Sequence, residues 1–260
     1  MTKAITTSCH AGNAVLVSIP VSNYVEKARW ALQLAQLPFT EEKHVPIGHY
    51  LSTKPKQGRS VPLLYFPSTK RALTDSADIL GHCAESLSSL YPNEEVTELE
   101  LFYDQKLGTH VRRIFYHLIL NDEAVARQVL LGPVEDADRA AAIPFPKVID
   151  SLKQGYDITD QRTDSSWTKV ETILKHHESK LGDGPPGSRY LCGDTFSAAD
   201  ITLSAHLSLL LFPREHKYLA PFGFLADAPG PHQDRLRRLR ESKLGQHALW
   251  CYEHHRPPMQ

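Results

Sequence analysis

The hydrophobic pattern of the N-terminal third predicts a strand, a helix and a second strand. Residues 14–19 are a short, continuous run rich in β-branched side chains, which is typical of a strand buried on both faces of a sheet. After Pro20, apolar residues recur at helical spacing until Pro38. Residues 39–45 then predict a second strand. We therefore expect a βαβ unit with a right-handed crossover.

A second group of elements follows a polar segment. Residues 46–60 are rich in Gly, Pro, Ser and Lys, which predicts a loop. Residues 61–65 resume a strand, and Leu73 is expected in a strand paired with it. Asp75 then precedes apolar positions at helical spacing, which predicts another helix. The predicted order of this group is ββα.

No strand pattern recurs beyond the turn-rich residues 88–94. We therefore predict an α/β domain over residues 1–87, a linker over 88–94 and an all-helical domain over 95–260. The segment 121–143 is compatible with either a helix or a loop. The helices expected in the second domain are Glu94–Leu120, Pro144–Tyr156, Ser166–Leu181, Ala198–Phe212 and His232–Gly245.

Net charge and the length of the apolar runs argue against nucleic acid and membranes as binding partners. The 260 residues carry 29 Lys and Arg against 30 Asp and Glu, a formal net charge of -1, so no overall field attracts nucleic acid or an anionic membrane. The longest apolar runs are far shorter than the roughly 20 residues that cross a bilayer. We expect small molecules or another protein chain as partners.

Cysteine and histidine positions predict neither a disulfide frame nor a metal site. Cys9, Cys83, Cys192 and Cys251 are widely separated and form no CxxC pair, which suits a reducing cytoplasm. The adjacent histidines at 176–177 and 254–255 point apart on a helix, so neither pair has ligand spacing. We predict a cytoplasmic protein without a bound metal.

Two predicted helix starts carry residues with possible binding chemistry. Ser22 precedes the first helix, where unpaired N–H groups and the helix dipole favour a negative charge such as a thiolate. Asp75 and Ser76 start a later helix and offer an acceptor and a donor to an amino-acid end group. Serine and aspartate also cap helices without any ligand, so both interpretations stay open from these residues alone.

Four stretches in this order resemble the glutathione transferase superfamily. They are Ser22-Asn-Tyr-Val-Glu-Lys-Ala-Arg-Trp-Ala-Leu32, Ser60-Val-Pro-Leu-Leu64, Leu73-Thr-Asp-Ser-Ala-Asp-Ile-Leu80 and Tyr190-Leu-Cys-Gly-Asp-Thr-Phe-Ser-Ala-Ala-Asp-Ile201. The resemblance covers nearly the whole chain. It implies a thioredoxin-like α/β N-terminal domain and an all-α C-terminal domain, the glutathione transferase fold.

The resemblance also implies roles for individual residues. Ser22 would be the catalytic residue, stabilising the thiolate of glutathione, which would be a co-substrate. The residues expected to bind glutathione are Val61 and Pro62, joined by a cis bond, with Asp75, Ser76, Arg59, Asn23 and Tyr24. In the last of the four stretches, Ser197 and Asp200 would form a structural capping box.

The other substrate is expected to be a hydrophobic electrophile bound by the helical domain, and the resemblance implies that glutathione is conjugated to it or reduces or isomerises it. Tyr103, Lys106, His110 and Arg113 are candidates for its pocket. The family also implies a homodimer. Asn23 stands where the family commonly has proline, which leaves open a second function: a catalytically weak, ligand-binding protein of the same fold.

Overall fold

The computed structural model describes residues 13–134, 144–227 and 230–258. Their N-terminal part is built on a four-stranded sheet of β1 (Ala14–Ser18), β2 (Phe39–Lys43), β3 (Leu63–Phe66) and β4 (Arg71–Leu73) in the order β2-β1-β3-β4. β1 pairs with β2 in parallel, and β3 is antiparallel to both β1 and β4. The predicted βαβ and ββα units are therefore confirmed, and with their helices they form the thioredoxin-like domain.

Three α-helices belong to this domain: α1 (Asn23–Leu34), α2 (Tyr50–Thr53) and α3 (Ser76–Ala84). A 3-10 turn over Lys54–Lys56 follows α2. The interval 46–60 is therefore partly helical rather than the open loop that its composition predicts. Its helical turns are too short to produce an apolar period in the sequence.

α1 is covered on nearly every side. Nine of its twelve residues are buried, including the charged Glu26, Lys27 and Arg29. An apolar stripe on one face predicts a helix with one solvated side. This helix instead lies between the sheet domain and the helical domain, and it contacts both α3 and a helix of the second domain.

The described part of the second domain consists of eight α-helices and no strand. They are α4 (Glu94–Lys106), α5 (Gly108–Ile119), α6 (Glu123–Leu131), α7 (Phe145–Gly155), α8 (Asp160–His177), α9 (Ala198–Leu211), α10 (Gln233–Glu241) and α11 (Lys243–His255). Every residue of α9 is buried, and this helix contacts α1, α4, α5 and α11. α9 is thus the central helix of the domain and connects it to α1.

α9 starts at the predicted capping box. Asp200 accepts hydrogen bonds from the Ser197 N–H (3.0 Å) and the Ser197 hydroxyl (2.9 Å). It also accepts one from the Leu191 N–H (3.1 Å), and the His247 ring lies 2.8 Å away. These bonds satisfy donors that would otherwise be unpaired at a buried helix end.

The single helix expected over Glu94–Leu120 is wrong, because the structure divides it into α4 and α5 at Leu107. At Gly108 the backbone passes so close to its neighbours that an added Cβ would lie 2.7 Å from both the Tyr24 hydroxyl and the His206 ring. Glycine allows this approach of the chain to α1 and α9. Period alone could not show the break, since the apolar pattern continues across it.

Two further helix boundaries differ from prediction because of caps. α8 begins at Asp160 rather than Ser166, with the Thr159 hydroxyl accepting from the Arg162 N–H. The helix expected over His232–Gly245 is two helices, because Ser242 ends α10 and caps α11. The ambiguous segment contains α6, while its residues 135–143 lie outside the described part. No described helix is both long and apolar enough to cross a bilayer.

The segment after α11 returns to the first helix. The Trp30 indole N–H donates to the His255 carbonyl at 3.0 Å. Arg256 Nε donates to Glu26 Oε1 at 2.7 Å, and both side chains are fully buried. Glu26 is also paired with Arg29. We call Glu26, Arg29, Trp30, His255 and Arg256 the C-terminal clasp.

Candidate functional site

A cavity of about 120 Å³ lies between the two domains. The sheet domain forms one wall and the helical domain the other. The first wall consists of Ile19, Val21, Ser22, Asn23, His49, Tyr50, Arg59, Ser60 and Val61, and the second of Arg112, Phe115, Tyr116, Tyr156 and Leu209. Four residues predicted from the sequence, Ser22, Asn23, Arg59 and Val61, thus meet at one cavity.

Ser22 is the N-cap of α1 and borders this cavity. Its backbone is extended (φ −70°, ψ 127°), and its Oγ accepts from the Val25 N–H at 3.5 Å, the outer limit of a hydrogen bond. Accepting that bond leaves the hydroxyl proton available to donate. The same hydroxyl can therefore cap the helix and donate a hydrogen bond to a thiolate, so the two interpretations do not exclude each other.

The side chains of Asn23 and Tyr24 have other partners. Asn23 Nδ2 lies 3.2 Å from the Gly108 carbonyl oxygen and 2.9 Å from His206 Nδ1. The Tyr24 hydroxyl donates to the Asp104 carbonyl at 2.9 Å, and burial raises the pKa of Tyr24 to about 12. Both side chains hold α1 to the helical domain. This geometry argues against either side chain donating to a thiol, although Asn23 does border the cavity.

A buried charged cluster lies beneath the start of α1. Lys27 is paired with Glu100 and with Asp104 Oδ2, the latter at 2.5 Å. Asp104 Oδ1 lies 2.9 Å from His206 Nε2. Burial opposes ionisation of Asp104, but the hydrogen bond from His206 and the Lys27 ammonium lower its pKa to about 2. Asp104 is thus a fixed negative charge that holds Lys27 and orients His206 toward Asn23.

The loop side of the cavity contributes a residue that the sequence analysis did not single out. His49 is buried, its Nδ1 has no hydrogen-bond partner, and burial together with His44 lowers its pKa to about 4. It therefore presents a neutral ring to the cavity. Its only sequence signal is a position within the segment 46–60, where composition predicts a solvated loop.

The predicted glutathione-binding residues of this side are distributed as follows. Arg59 is exposed and borders the cavity with Val61, whose bond to Pro62 is cis as the resemblance implies. Asp75 caps α3 by accepting from the Ala77 N–H at 2.8 Å, and Ser76 is buried beside it. Pro62, Tyr24, Asp75 and Ser76 do not border the cavity. Asp75 nevertheless lies close enough to Tyr24 to raise the pKa of that phenol.

The four residues that the sequence suggested for the helical wall do not line this cavity. Tyr103 is buried in the core, and Lys106 and His110 border another groove between α4, α5 and α8. Arg113 donates to the Tyr156 carbonyl and the Ser166 hydroxyl, each at 2.9 Å. Tyr103 and Lys106 belong to α4, and the break at Leu107 interrupts the continuous helix on which His110 and Arg113 were expected to share a face with them. The adjacent Arg112 faces the cavity instead.

One buried group among the described residues has metal-ligand atoms in proximity: Asp200, His247 and Cys251 lie within 4.8 Å of one another. Asp200 already accepts three bonds from Leu191 and Ser197. Burial also raises the pKa of the Cys251 thiol well above its usual value, so a thiolate ligand is disfavoured. The group serves the capping box of α9.

Comparison with known families identifies the chain. The model of the glutathione S-transferase N-terminal domain matches residues 16–93, and that of the C-terminal domain matches residues 138–241. The chain belongs to the glutathione S-transferase superfamily. The resemblance drawn from the four sequence stretches is thereby confirmed. No curated protein matches this glutathione S-transferase family member in sequence.

Solved structures share the fold across nearly the whole chain. Glutathione transferase GSTFuA3 from Phanerochaete chrysosporium is 17% identical, with a TM-score of 0.59 and coverage of 94% of this chain and 98% of that one. A glutathione S-transferase of Ceriporiopsis subvermispora in complex with glutathione is 14% identical (TM-score 0.58, coverage 95% and 98%). The β-etherase LigF from Sphingobium sp. strain SYK-6 is 17% identical (TM-score 0.55, coverage 91% and 98%). At these identities the likeness shows the fold and not the reaction.

Proposed function

We propose that this protein activates the thiol of glutathione for attack on an electrophilic small molecule. The observation that carries the proposal is Ser22, which combines an available hydroxyl proton with the N-terminus of a long helix at the edge of an interdomain cavity. A related structure in complex with glutathione supports the choice of thiol. Detoxification by conjugation is the role that we infer.

Ser22 stabilises the thiolate rather than acting as a nucleophile. A free thiol has a pKa of about 8.5, and a hydroxyl donor together with the unpaired N–H groups of a helix start favours its ionised form. The sulfur then attacks the electrophile, a carbon–sulfur bond forms, and the leaving group departs with its electron pair. The thiol proton passes to solvent before the attack.

The remaining glutathione contacts follow the geometry of the sheet-domain wall. Val61 offers its backbone to the peptide-like middle of glutathione, as an added strand does. Arg59 and the neutral His49, which line the same wall, bind the glycyl carboxylate. Asp75 and Ser76 receive the γ-glutamyl ammonium and carboxylate. Asn23 acts indirectly, by fixing the turn through Gly108 and His206.

We also propose a cytoplasmic homodimer. Leu51 of α2 and Leu101 of α4 are large apolar side chains that are 69% and 48% exposed, one on each domain. Pairing the first domain of one copy with the second domain of the other would cover both. The described cysteines Cys83, Cys192 and Cys251 are free, which suits a reducing compartment. Sedimentation velocity tests the dimer, and a sharp species of about 29.2 kDa would contradict it.

Replacing Ser22 tests the proposed activity. Ser22→Ala should lower the rate of conjugation of 1-chloro-2,4-dinitrobenzene by about 100- to 1000-fold, because one donor aimed at the thiolate is lost. Glutathione affinity, measured by calorimetric titration, should change far less. Ser22→Cys should favour thiol transfer over conjugation, because a cysteine at a helix start is itself a nucleophile.

A matched variant separates catalysis from capping. Ser242 caps α11 as Ser22 caps α1, with its Oγ accepting from the Gly245 N–H at 3.1 Å, but it lies away from the cavity. Ser242→Ala should cost stability and leave the specific activity of the folded protein unchanged. Full activity and an unchanged thiolate absorbance titration in Ser22→Ala would reduce Ser22 to a helix cap.

A further inference from the structure

Arg112 is a cation placed in the cavity without a matching carboxylate. It lines the helical wall opposite Ser22. No carboxylate among residues 13–134, 144–227 and 230–258 forms an ion pair with it, and its buried Nε has no hydrogen-bond partner. Charges at a cavity wall are normally balanced, so an arginine that lines a cavity without a carboxylate partner points to an anionic ligand.

The carboxylates and the arginine closest to Arg112 in the sequence already have other partners. Asp104 and Glu100 are both paired with Lys27. Arg113, the next residue, donates hydrogen bonds to the Tyr156 carbonyl and the Ser166 hydroxyl. Arg113 therefore joins α5 to the end of α7 and to α8 by hydrogen bonds, whereas Arg112 forms no hydrogen bond or ion pair with another described residue.

Aromatic rings hold the Arg112 guanidinium in place. Its Cζ lies 4.2 Å from the ring centroid of Tyr156 and 5.5 Å from that of Tyr24. The Tyr156 ring is itself stacked on Tyr116, with centroids 5.3 Å apart and an interplanar angle of 11°. Stacking positions a guanidinium but leaves its N–H edge available for a carboxylate.

The surrounding wall is apolar and aromatic. Phe115 and Leu209 complete it beside Tyr116 and Tyr156. A ligand that fits has a flat apolar body against these side chains and one anionic group at the guanidinium, which binds carboxylates in a fork geometry. On the sheet-domain wall, Arg59 is a separate cation for glutathione itself.

We propose that Arg112 selects the second substrate, and that this substrate is an aromatic electrophile bearing a carboxylate. The inference rests on the proposed function, because it names the substrate class of the same cavity. Arg112 is a specificity residue and not part of thiol activation. Its side chain binds the acidic group while glutathione occupies the opposite wall.

Two probes of nearly equal size and shape, one anionic and one neutral, test this. 4-Chloro-3-nitrobenzoate and 4-chloro-3-nitrobenzamide both react by attack of the glutathione sulfur on the chlorine-bearing carbon, with loss of chloride. The quantity to measure is the ratio of kcat/KM for the acid to kcat/KM for the amide. Because the intrinsic reactivity of each probe is the same for every variant, changes in this ratio report recognition alone.

Arg112→Gln should lower the ratio by about 10- to 100-fold, the loss expected for one charge-assisted hydrogen bond. Arg112→Lys should retain part of it, because it keeps the charge and loses the fork. The KM for glutathione should stay within about twofold. The matched control is Arg237→Gln on α10, an exposed arginine paired with Asp234, which should leave the ratio unchanged.

Binding of the two glutathione conjugates provides a readout independent of turnover. The parent protein should bind the carboxylate conjugate more tightly than the amide conjugate, and Arg112→Gln should remove the difference. Equal affinities in the parent, or a ratio unchanged in Arg112→Gln, would overturn the inference. A rise confined to the KM for glutathione would do the same and assign Arg112 to glutathione. Absent turnover with a retained preference for the carboxylate conjugate would overturn only the proposed activity.

Discussion

Gly108 marks the point where α5, α1 and α9 meet. Its carbonyl accepts from Asn23, and the space beside its Cα is filled by Tyr24 and His206. A single hydrogen atom in place of a side chain therefore allows the turn that carries Ser22 to be tied to the helical domain. The requirement is steric, because the φ angle at Gly108 is one that any residue adopts.

Gly108→Ala should destabilise the protein by about 1 to 3 kcal/mol, the usual cost of forcing a methyl group into a packed interior. Chemical denaturation measures this loss. Gly81→Ala is the matched control, since Gly81 is exposed within α3 and an added Cβ there has no neighbour within 4 Å. That change should stabilise the helix by up to about 1 kcal/mol. Equal effects of the two changes would refute the steric role of Gly108.

The identity of residues at the site was only partly readable from sequence. Ser22 and Val61 carry recognisable neighbours, and both border the cavity. Arg112 and Arg113 are adjacent and chemically identical, so only the direction of α5 distinguishes the side chain that lines the cavity from the one that hydrogen-bonds α7 and α8. That direction depends on the break at Leu107, which no local pattern reveals.

At the scale of elements, the strands and most helices follow from the hydrophobic pattern, whereas several boundaries depend on single capping bonds. β1 and α9 lie almost where continuous apolar runs predict them. Thr159 and Ser242 start α8 and α11, and each hydroxyl resembles any other surface serine or threonine in the sequence. The division into residues 1–87, 88–94 and 95–260 stays a prediction.

The cap of α9 differs in kind from an exposed cap. Asp200→Ala should lower the free energy of unfolding by about 3 kcal/mol or more, because it removes the N3 half of the capping box and leaves buried donors of Leu191 and Ser197 unsatisfied. Asp122→Ala, at the exposed cap of α6, should cost about 1 kcal/mol. Denaturant midpoints compare the two. Similar losses would show that burial adds nothing at Asp200, and glutathione affinity should be unchanged in both folded variants.

For the whole molecule, the two domains are joined by buried charge as well as by apolar packing. Burial opposes ionisation of Glu26, yet the Arg256 and Arg29 guanidiniums hold its pKa far below the usual range. Arg29 continues the network to Glu41 on β2 at 2.6 Å. The C-terminal clasp therefore links the sheet, the first helix and the segment that follows the last helix.

Arg256→Gln should cost about 3 to 5 kcal/mol of stability, because it leaves Glu26 buried with one of its two arginine partners missing. The control is Arg214→Gln, where an exposed arginine contacts Glu215 and Glu253. Exposed pairs contribute about 0 to 1 kcal/mol, so this variant should unfold almost as the parent does. Thermal or denaturant unfolding measures the stability of both variants. Comparable losses of stability would show that the buried pair contributes no more than the surface pair.

The C-terminal clasp can form only late in the synthesis of the chain. Glu26 and Arg256 are separated by 230 positions, so a ribosome synthesises one partner long before the other. At about 5 to 20 residues per second, the first helix waits on the order of ten seconds or more with Glu26 paired to Arg29 but not yet to Arg256. During that interval α1 lacks its contacts with the central helix of the second domain, and the clasp closes only after Arg256 has been synthesised.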